Sequence, residues 1–214
     1  MLKKEKEDLI NNLKKKKYIK SKIVTDAFLK VPREKFVPKN IIKKAYFDSP
    51  LRIGNNQTIS APHMVAIMCE ELDLKLGQKV LEIGTGSGYH AAIVSKIVGS
   101  NGKIFSIERH KNLADKARDN LKKAGIKNIE VWLGDGSEGL KKYQPYDRIY
   151  VTCAAPDIPK PLIEQLKNPG ILLIPVGNNF CELKKIEKKN EKISTKNLGG
   201  CAFVPLIGKY GHSI

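Results

Sequence analysis

Paired cysteines, arginine, acidic residues and long apolar runs are what this sequence has least of, and each shortage removes a class of protein. Its four cysteines, Cys69, Cys153, Cys181 and Cys201, are scattered, with no C-x-x-C pair and no histidine nearby at ligand spacing. That argues against structural zinc and against a disulfide framework, leaves reduced thiols, and gives no reason to expect a metal. No apolar run approaches the ~20 residues that cross a bilayer. The opening Met1-Leu2-Lys3-Lys4-Glu5 lacks the apolar core of a signal peptide, so a cytoplasmic protein without a membrane partner is expected. Acidic residues number 22 against 39 lysines and arginines, a formal charge of +17. Only five of those 39 are arginine, the side chain suited to bidentate phosphate recognition. Aromatic residues do not interleave with basic ones as a stacking platform requires. Lysine pairs such as Lys43-Lys44, Lys122-Lys123 and Lys184-Lys185 spread along the chain, which suits a solvated cationic surface. No nucleic-acid partner is expected.

What is present is a globular composition, 41% hydrophobic and 29% charged, in 214 residues that suffice for one well-buried domain. Leu9, Ile10, Leu13 and Ile19 predict an amphipathic helix over 5–18. Ser21 caps a second over 22–30 that turns Ile23, Val24, Ala27 and Phe28 inward. "VPREKFVP" (31–38) is a turn bracketed by prolines. A helix follows over 64–74, with Met64, Val65, Met68 and Leu72 on one stripe. Beyond Gly77, strands at 79–83, in "NGKIFSIE" (101–108, after its turn), in "IEVWLGDG" (129–136, closed by its glycines) and in "YDRIYVTCAA" (146–155) alternate with helices over 89–98 and 112–124. A short helix over 162–167 ends at a Pro169-Gly170 turn before the buried strand "ILLIPVG". The expected fold is therefore α/β, a single domain with a doubly wound Rossmann-like parallel sheet covered on both faces. An N-terminal helical region (about 1–76) precedes the core (about 77–177), and C-terminal antiparallel strands (about 178–214) turn around Lys189-Asn190.

"LEIGTGSGYH" follows a strand and opens a helix, the context in which a glycine-rich turn is informative. Gly84, Gly86 and Gly88 are spaced G-x-G-x-G; a dinucleotide fingerprint wants its third glycine where Tyr89 stands. The next strand ends in Glu108, placed to accept hydrogen bonds from both hydroxyls of a ribose. The strand after that ends in Asp135-Gly136, where a carboxylate could reach the exocyclic amine of an adenine. Glu82, at the end of the first strand, sets a third carboxylate beside the turn. It would repel a pyrophosphate but not a sulfonium cation with a zwitterionic tail, which favours S-adenosylmethionine over a nicotinamide dinucleotide. The expected cofactor site is Glu82, Gly84, Thr85, Gly86, Ser87, Gly88, Glu108, Arg109, Asp135 and Gly136. Any one of these acids alone reads more readily as a surface residue, a cap or an ion pair; three on successive strand ends point to a ligand.

"VPREKFVP", "NNQTISAPHMVA", "VLEIGTGSGYHAA", "GDGSEG", "YDRIYVTCAAP" and "ILLIPVG" occur in this order. In them the sequence resembles the protein-L-isoaspartate O-methyltransferases over about 31–177, with a weaker echo in "FVPLIG" (203–208). Many methyltransferases share the glycine motif; "QTISAPHMV" and "VPREKFVP" are the specific part. The resemblance implies a seven-stranded methyltransferase sheet, S-adenosylmethionine as donor, and the α-carboxylate of L-isoaspartyl residues in damaged proteins as acceptor. The ester then closes to a succinimide that partly reopens to normal aspartate. It also implies that Thr58, Ile59 and Ser60 embrace the substrate, with Ser60 the active-site residue. The family usually has alanine where Cys153 stands and a second glycine where Ile171 stands; neither change removes a group the chemistry needs.

A carboxylate is already ionised at pH 7, so its methylation requires no general base. No Ser-His-Asp or Cys-His set is legible, in agreement. The Ser60 hydroxyl can donate to one carboxylate oxygen and leave the other free to attack. A helix beginning near Ala61 is expected to aim N–H groups and a partial positive charge at the same place. Ser60 also reads as that helix's cap, worth ~1 kcal/mol, and His63 as a helix-surface residue. Two rival readings stay open. An RNA methyltransferase would explain the charge and could use Cys153 as nucleophile, although Thr152 rather than proline precedes it and "TCAAP" replaces the amino-methylating [DN]-P-P-[YF]. A basic RNA-binding protein on a degenerate methyltransferase fold would have no use for Glu82, Glu108 and Asp135. The expected enzyme is a monomer acting on isoaspartyl-containing proteins and peptides.

Overall fold

The computed structural model describes residues 2–178 and 180–213. Helices α1 (Leu2–Lys15) and α2 (Lys22–Lys30) open the chain and bury Leu9, Ile10, Leu13, Val24, Ala27 and Phe28 at helical spacing. The Ser21 hydroxyl accepts the Val24 N–H, so α2 begins where its cap predicts. α1 stops before residue 18 because Lys17 turns to a positive φ of 59°. Two 3₁₀ turns, Arg33–Phe36 and Lys39–Lys44, lead to a hairpin of β1 (Leu51–Gly54) and β2 (Gln57–Ile59). The tip, Asn55-Asn56, has two positive φ angles, a conformation asparagine tolerates and hairpins favour. Asn55 and Asn112 exchange side-chain amide hydrogen bonds of 3.0 and 2.8 Å, which pins the tip to the main body. Helix α3 (Pro62–Glu71) starts earlier than expected, since proline is preset for a first helical turn, and ends before Asp73, whose φ is 46°.

The main sheet is laid from its middle outward. β3 (Lys79–Ile83), α4 (Tyr89–Val98), β4 (Lys103–Glu108), α5 (Lys111–Lys123) and β5 (Ile129–Leu133) run to one edge. β6 (Tyr146–Val151) returns to the other side of β3, followed by α6 (Lys160–Glu164), β7 (Leu166–Gly177), β8 (Cys181–Lys189) and β9 (Lys192–Cys201). The strand order is β5-β4-β3-β6-β7-β8-β9, parallel as far as β7 and antiparallel beyond it. The order reverses between β3 and β6, and the carboxyl ends of strands at such a point flank a crevice. Strand alternation sends Val80 to the face covered by α1 to α5, and Leu81 and Ile83 to the face covered by α6 and Leu206. The expected 162–167 helix is displaced: α6 ends at Glu164, and Pro169-Gly170 lies within β7, beside an irregularity in its pairing with β6. The β8–β9 hairpin turns at Asn190 and Glu191, as expected. Among the described residues, no helix is long and apolar enough to cross a membrane.

Candidate active site

At the reversal point the chain leaves β3 through Gly84 and β6 through Thr152. The Thr152 hydroxyl donates to the Gly84 carbonyl at 2.6 Å. Gly84 has a φ of 91°, and a Cβ there would stand 2.4 Å from the Thr152 hydroxyl oxygen, so only glycine suits the position. Beyond lies a cleft of about 530 Å³. Ile83, Gly84, Gly86, Ile107, Glu108, Arg109, Gly136, Thr152 and Cys153 line its floor, Gln57 and Thr58 one wall, and Val204 to Ile207 another. A hollow of about 290 Å³ adjoins it, lined by Thr58, Ile59, Ser60, Val65, Thr85, Ser87, Tyr89 and His90, and sharing Gly84, Gly86 and Thr152. Thr58 therefore stands where the two spaces meet, and Ser60 stands in the smaller one.

The three strand-end acids do not act alike. Glu108 lines the cleft, and its carboxylate accepts the N–H groups of Gly86 and His110, each at 2.9 Å. Glu82 is turned away from the cleft, a correction to the sequence reading. It shares the parity of Val80, so alternation buries it beneath α4, where Tyr150 donates to it at 2.8 Å and Ser106 donates as well. Burial, with Glu108 adding to it, pushes the Glu82 carboxyl up to about 8, despite the opposing hydrogen bonds from Ser106 and Tyr150. Burial thus disfavours the charge attributed to Glu82, and the side chain does not present it to the cleft. Asp135 is also committed elsewhere: its carboxylate accepts Ser137 N–H at 2.8 Å, the Ser137 hydroxyl at 2.7 Å and Lys209 N–H at 2.7 Å. Burial raises the Asp135 pKa, but these donors and Arg109 outweigh it and hold the carboxyl below its ordinary value. Its service is to pin the chain that follows the Val204–Ile207 wall. Gly88 caps α4 with a φ of 85° and lies outside both linings.

Ser60 is not the helix cap. α3 is capped at Ala61, which has no side-chain cap bond, because Pro62 fills the first helical position. The Ser60 hydroxyl forms no hydrogen bond among the described residues, while its carbonyl accepts from Arg33 Nη2 at 2.8 Å. The backbone donors expected from α3 are already used. Pro62 has none, His63 N–H goes to Asp48 at 2.9 Å, and those of Met64 and Val65 go to Ala61 O. His63 is partly exposed, its Nδ1 2.9 Å from Asp48. The thiol of Cys153 is buried, which with Glu108 holds it well above the ordinary thiol range; Arg109 opposes this weakly. Burial holds His90 neutral by lowering it to about 3, with Nε2 3.6 Å from Cys69 Sγ.

The family model described as protein-L-isoaspartate(D-aspartate) O-methyltransferase matches residues 4–211. The chain belongs to that family. Proteins named protein-L-isoaspartate O-methyltransferase in Methanococcus aeolicus and Methanocella arvoryzae are 54% and 57% identical to it over 208 and 182 residues. These alignments span 97% and 85% of this chain and 96% and 97% of the relatives. A Plasmodium falciparum structure assigned as a protein-L-isoaspartate O-methyltransferase, solved with S-adenosyl-L-homocysteine, superposes with a TM-score of 0.84 at 28% identity. That match covers 94% of this chain and 97% of the other.

Several residues of this family member's site went unread in the sequence. Val204 to Ile207 join the cleft because Ala154 exchanges hydrogen bonds with Val204 O and Leu206 N, both 2.8 Å, a pairing between distant segments. Only the short echo "FVPLIG" hinted at it. Gln57, Thr152, Tyr89 and His90 also border the two spaces. The parity of Glu82 with Val80 was visible in the sequence and shows which face of the sheet it shares.

Proposed function

We propose that this family member transfers the methyl group of S-adenosyl-L-methionine to the α-carboxylate of L-isoaspartyl residues in damaged proteins and peptides, with Ser60 holding the acceptor. The observation that carries the assignment of Ser60 is that it lines the hollow beside the cleft and that its hydroxyl makes no hydrogen bond among the described residues. The cleft suits the donor. Its apolar walls, Ile83, Ile107, Val204 and Leu206, suit a flat base, and among the described residues Glu108 supplies the only carboxylate in its lining. Each Glu108 oxygen keeps a lone pair for a ribose hydroxyl beyond the N–H group it accepts. Gly84 and Gly86 let a ligand approach the backbone, and Arg109 and Gly136 complete the floor. S-adenosyl-L-methionine, when bound, supplies an electrophilic methyl group on a cationic sulfur.

Ser60 donates to one oxygen of the acceptor carboxylate and leaves the other to attack, while Thr58 and Ile59 flank the peptide. Positioning is the main contribution of these side chains. None is needed as a base, in keeping with a protonated Cys153 thiol and a Glu82 carboxyl buried away from the cleft. The same thiol state weighs against a cysteine-nucleophile reaction on RNA. The reading includes a monomer working in the cytoplasm without a nucleic-acid partner; four free cysteines accord with a reducing compartment. Labelled methyl transfer to paired peptides, one with L-isoaspartate and one with aspartate, tests it. Base-labile label in the first alone is expected; label in RNA instead would overturn it.

A further inference from the structure

The segment "VPREKFVP" carries much of the family likeness yet no part of the chemistry above, and its arginine is unusually placed. Arg33 is 0% exposed. Nε donates to the Ala45 carbonyl at 2.9 Å and Nη2 to the Ser60 carbonyl at 2.8 Å. The guanidinium carbon lies 4.7 Å from the centre of the Tyr89 ring. Nη1 is buried with no hydrogen-bond partner among the described residues. Burial lowers the Arg33 pKa, against the opposing influence of Tyr89, Asp48 and Tyr46.

Stability is a poor reason for such a group. A buried cation with an unpaired N–H costs free energy that an apolar side chain of similar volume would not. What the position offers is contact with two walls of the hollow, since Ser60 precedes α3 and Tyr89 opens α4. We propose that Arg33 is a positioning residue for the substrate carboxylate: it fixes the Ser60 backbone against the Tyr89 ring, and so the direction of the Ser60 hydroxyl. The guanidinium acts from behind Ser60 and does not touch the acceptor. A fork bound directly to the carboxylate would stabilise the anion more than the transition state that consumes its charge. The proposal rests on Ser60 being the carboxylate grip.

Arg33→Lys keeps the charge and loses the planar fork. Its kcat/KM toward an isoaspartyl peptide should fall about tenfold or more, with the Kd for S-adenosyl-L-homocysteine within about twofold of wild type. In a Ser60→Ala background the same change should have little further effect, because the grip it positions is gone. A merely structural Arg33 would lower the rate by the same factor in both backgrounds. Should Arg33→Lys not fold, the wild type still decides. The Arg33 side-chain NMR signals should move when an isoaspartyl peptide joins the S-adenosyl-L-homocysteine complex, and stay when an aspartyl peptide is used. An additive loss, an undiminished rate or unmoved signals would overturn the proposal. Near-wild-type turnover by Ser60→Ala alone overturns the Ser60 reading, and this proposal with it.

Discussion

The Glu108 carboxylate accepts the Gly86 N–H at 2.9 Å, so the end of β4 holds the glycine turn that follows β3. One side chain thus shapes the turn and borders the cleft. A hydrogen bond to a charged group contributes about 1.5–3 kcal/mol, which corresponds to at least about tenfold in affinity. Glu108→Ala should raise the Kd for S-adenosyl-L-homocysteine by that factor or more in calorimetric titration. Unchanged affinity would remove Glu108 from the donor site.

Glu82 predicts a stability that depends on pH. Its folded carboxyl is raised from 4.5 to about 8, so the folded state holds a proton that the unfolded chain has released. Stability from this group is complete below 4.5 and is lost as pH rises toward 8. His90 has the opposite sign, lowered from 6.5 to about 3, and its contribution grows only up to 6.5. The window from 6.5 to 8 therefore isolates Glu82. Wild type should lose Tm across it and Glu82→Gln should lose less, each kcal/mol appearing as about 2–4 °C. Equal slopes in thermal melts would mean that Glu82 is ionised in the folded protein.

Asp135 predicts an indirect effect. Its carboxylate holds Lys209 N–H at 2.7 Å, just beyond the Val204–Ile207 wall. Asp135→Ala should expose the chain after Cys201 to faster proteolysis and weaken donor binding by a few fold, on the order of 1 kcal/mol. Limited proteolysis with and without S-adenosyl-L-homocysteine measures both. A variant as resistant as wild type would show that the wall does not depend on Asp135.

The parts of this fold governed by local pattern were legible in the sequence. β3, α2 and α4 begin and end where alternation, the Ser21 cap and the glycine turn place them. What could not be read depended on distant contacts. Arg33 is a charged residue in a short turn, a pattern that predicts exposure, and only the folding of Ala45 and Ser60 around it makes it buried. The Val204–Ile207 wall arises from a pairing with Ala154 that no periodicity announces. Ser60 lost its capping role to a local rule that was visible, the proline at position 62.

The free hydroxyl of Ser60 is the centre of this account, and turnover of an isoaspartyl peptide by Ser60→Ala tests it most directly. Because the hydroxyl caps nothing, the variant should melt within about 1 °C of wild type and bind S-adenosyl-L-homocysteine as before. Its methyl transfer should fall by about a hundredfold or more, the loss expected when an acceptor is no longer held in line. Turnover near the wild-type rate, with fold and donor binding intact, would contradict the account.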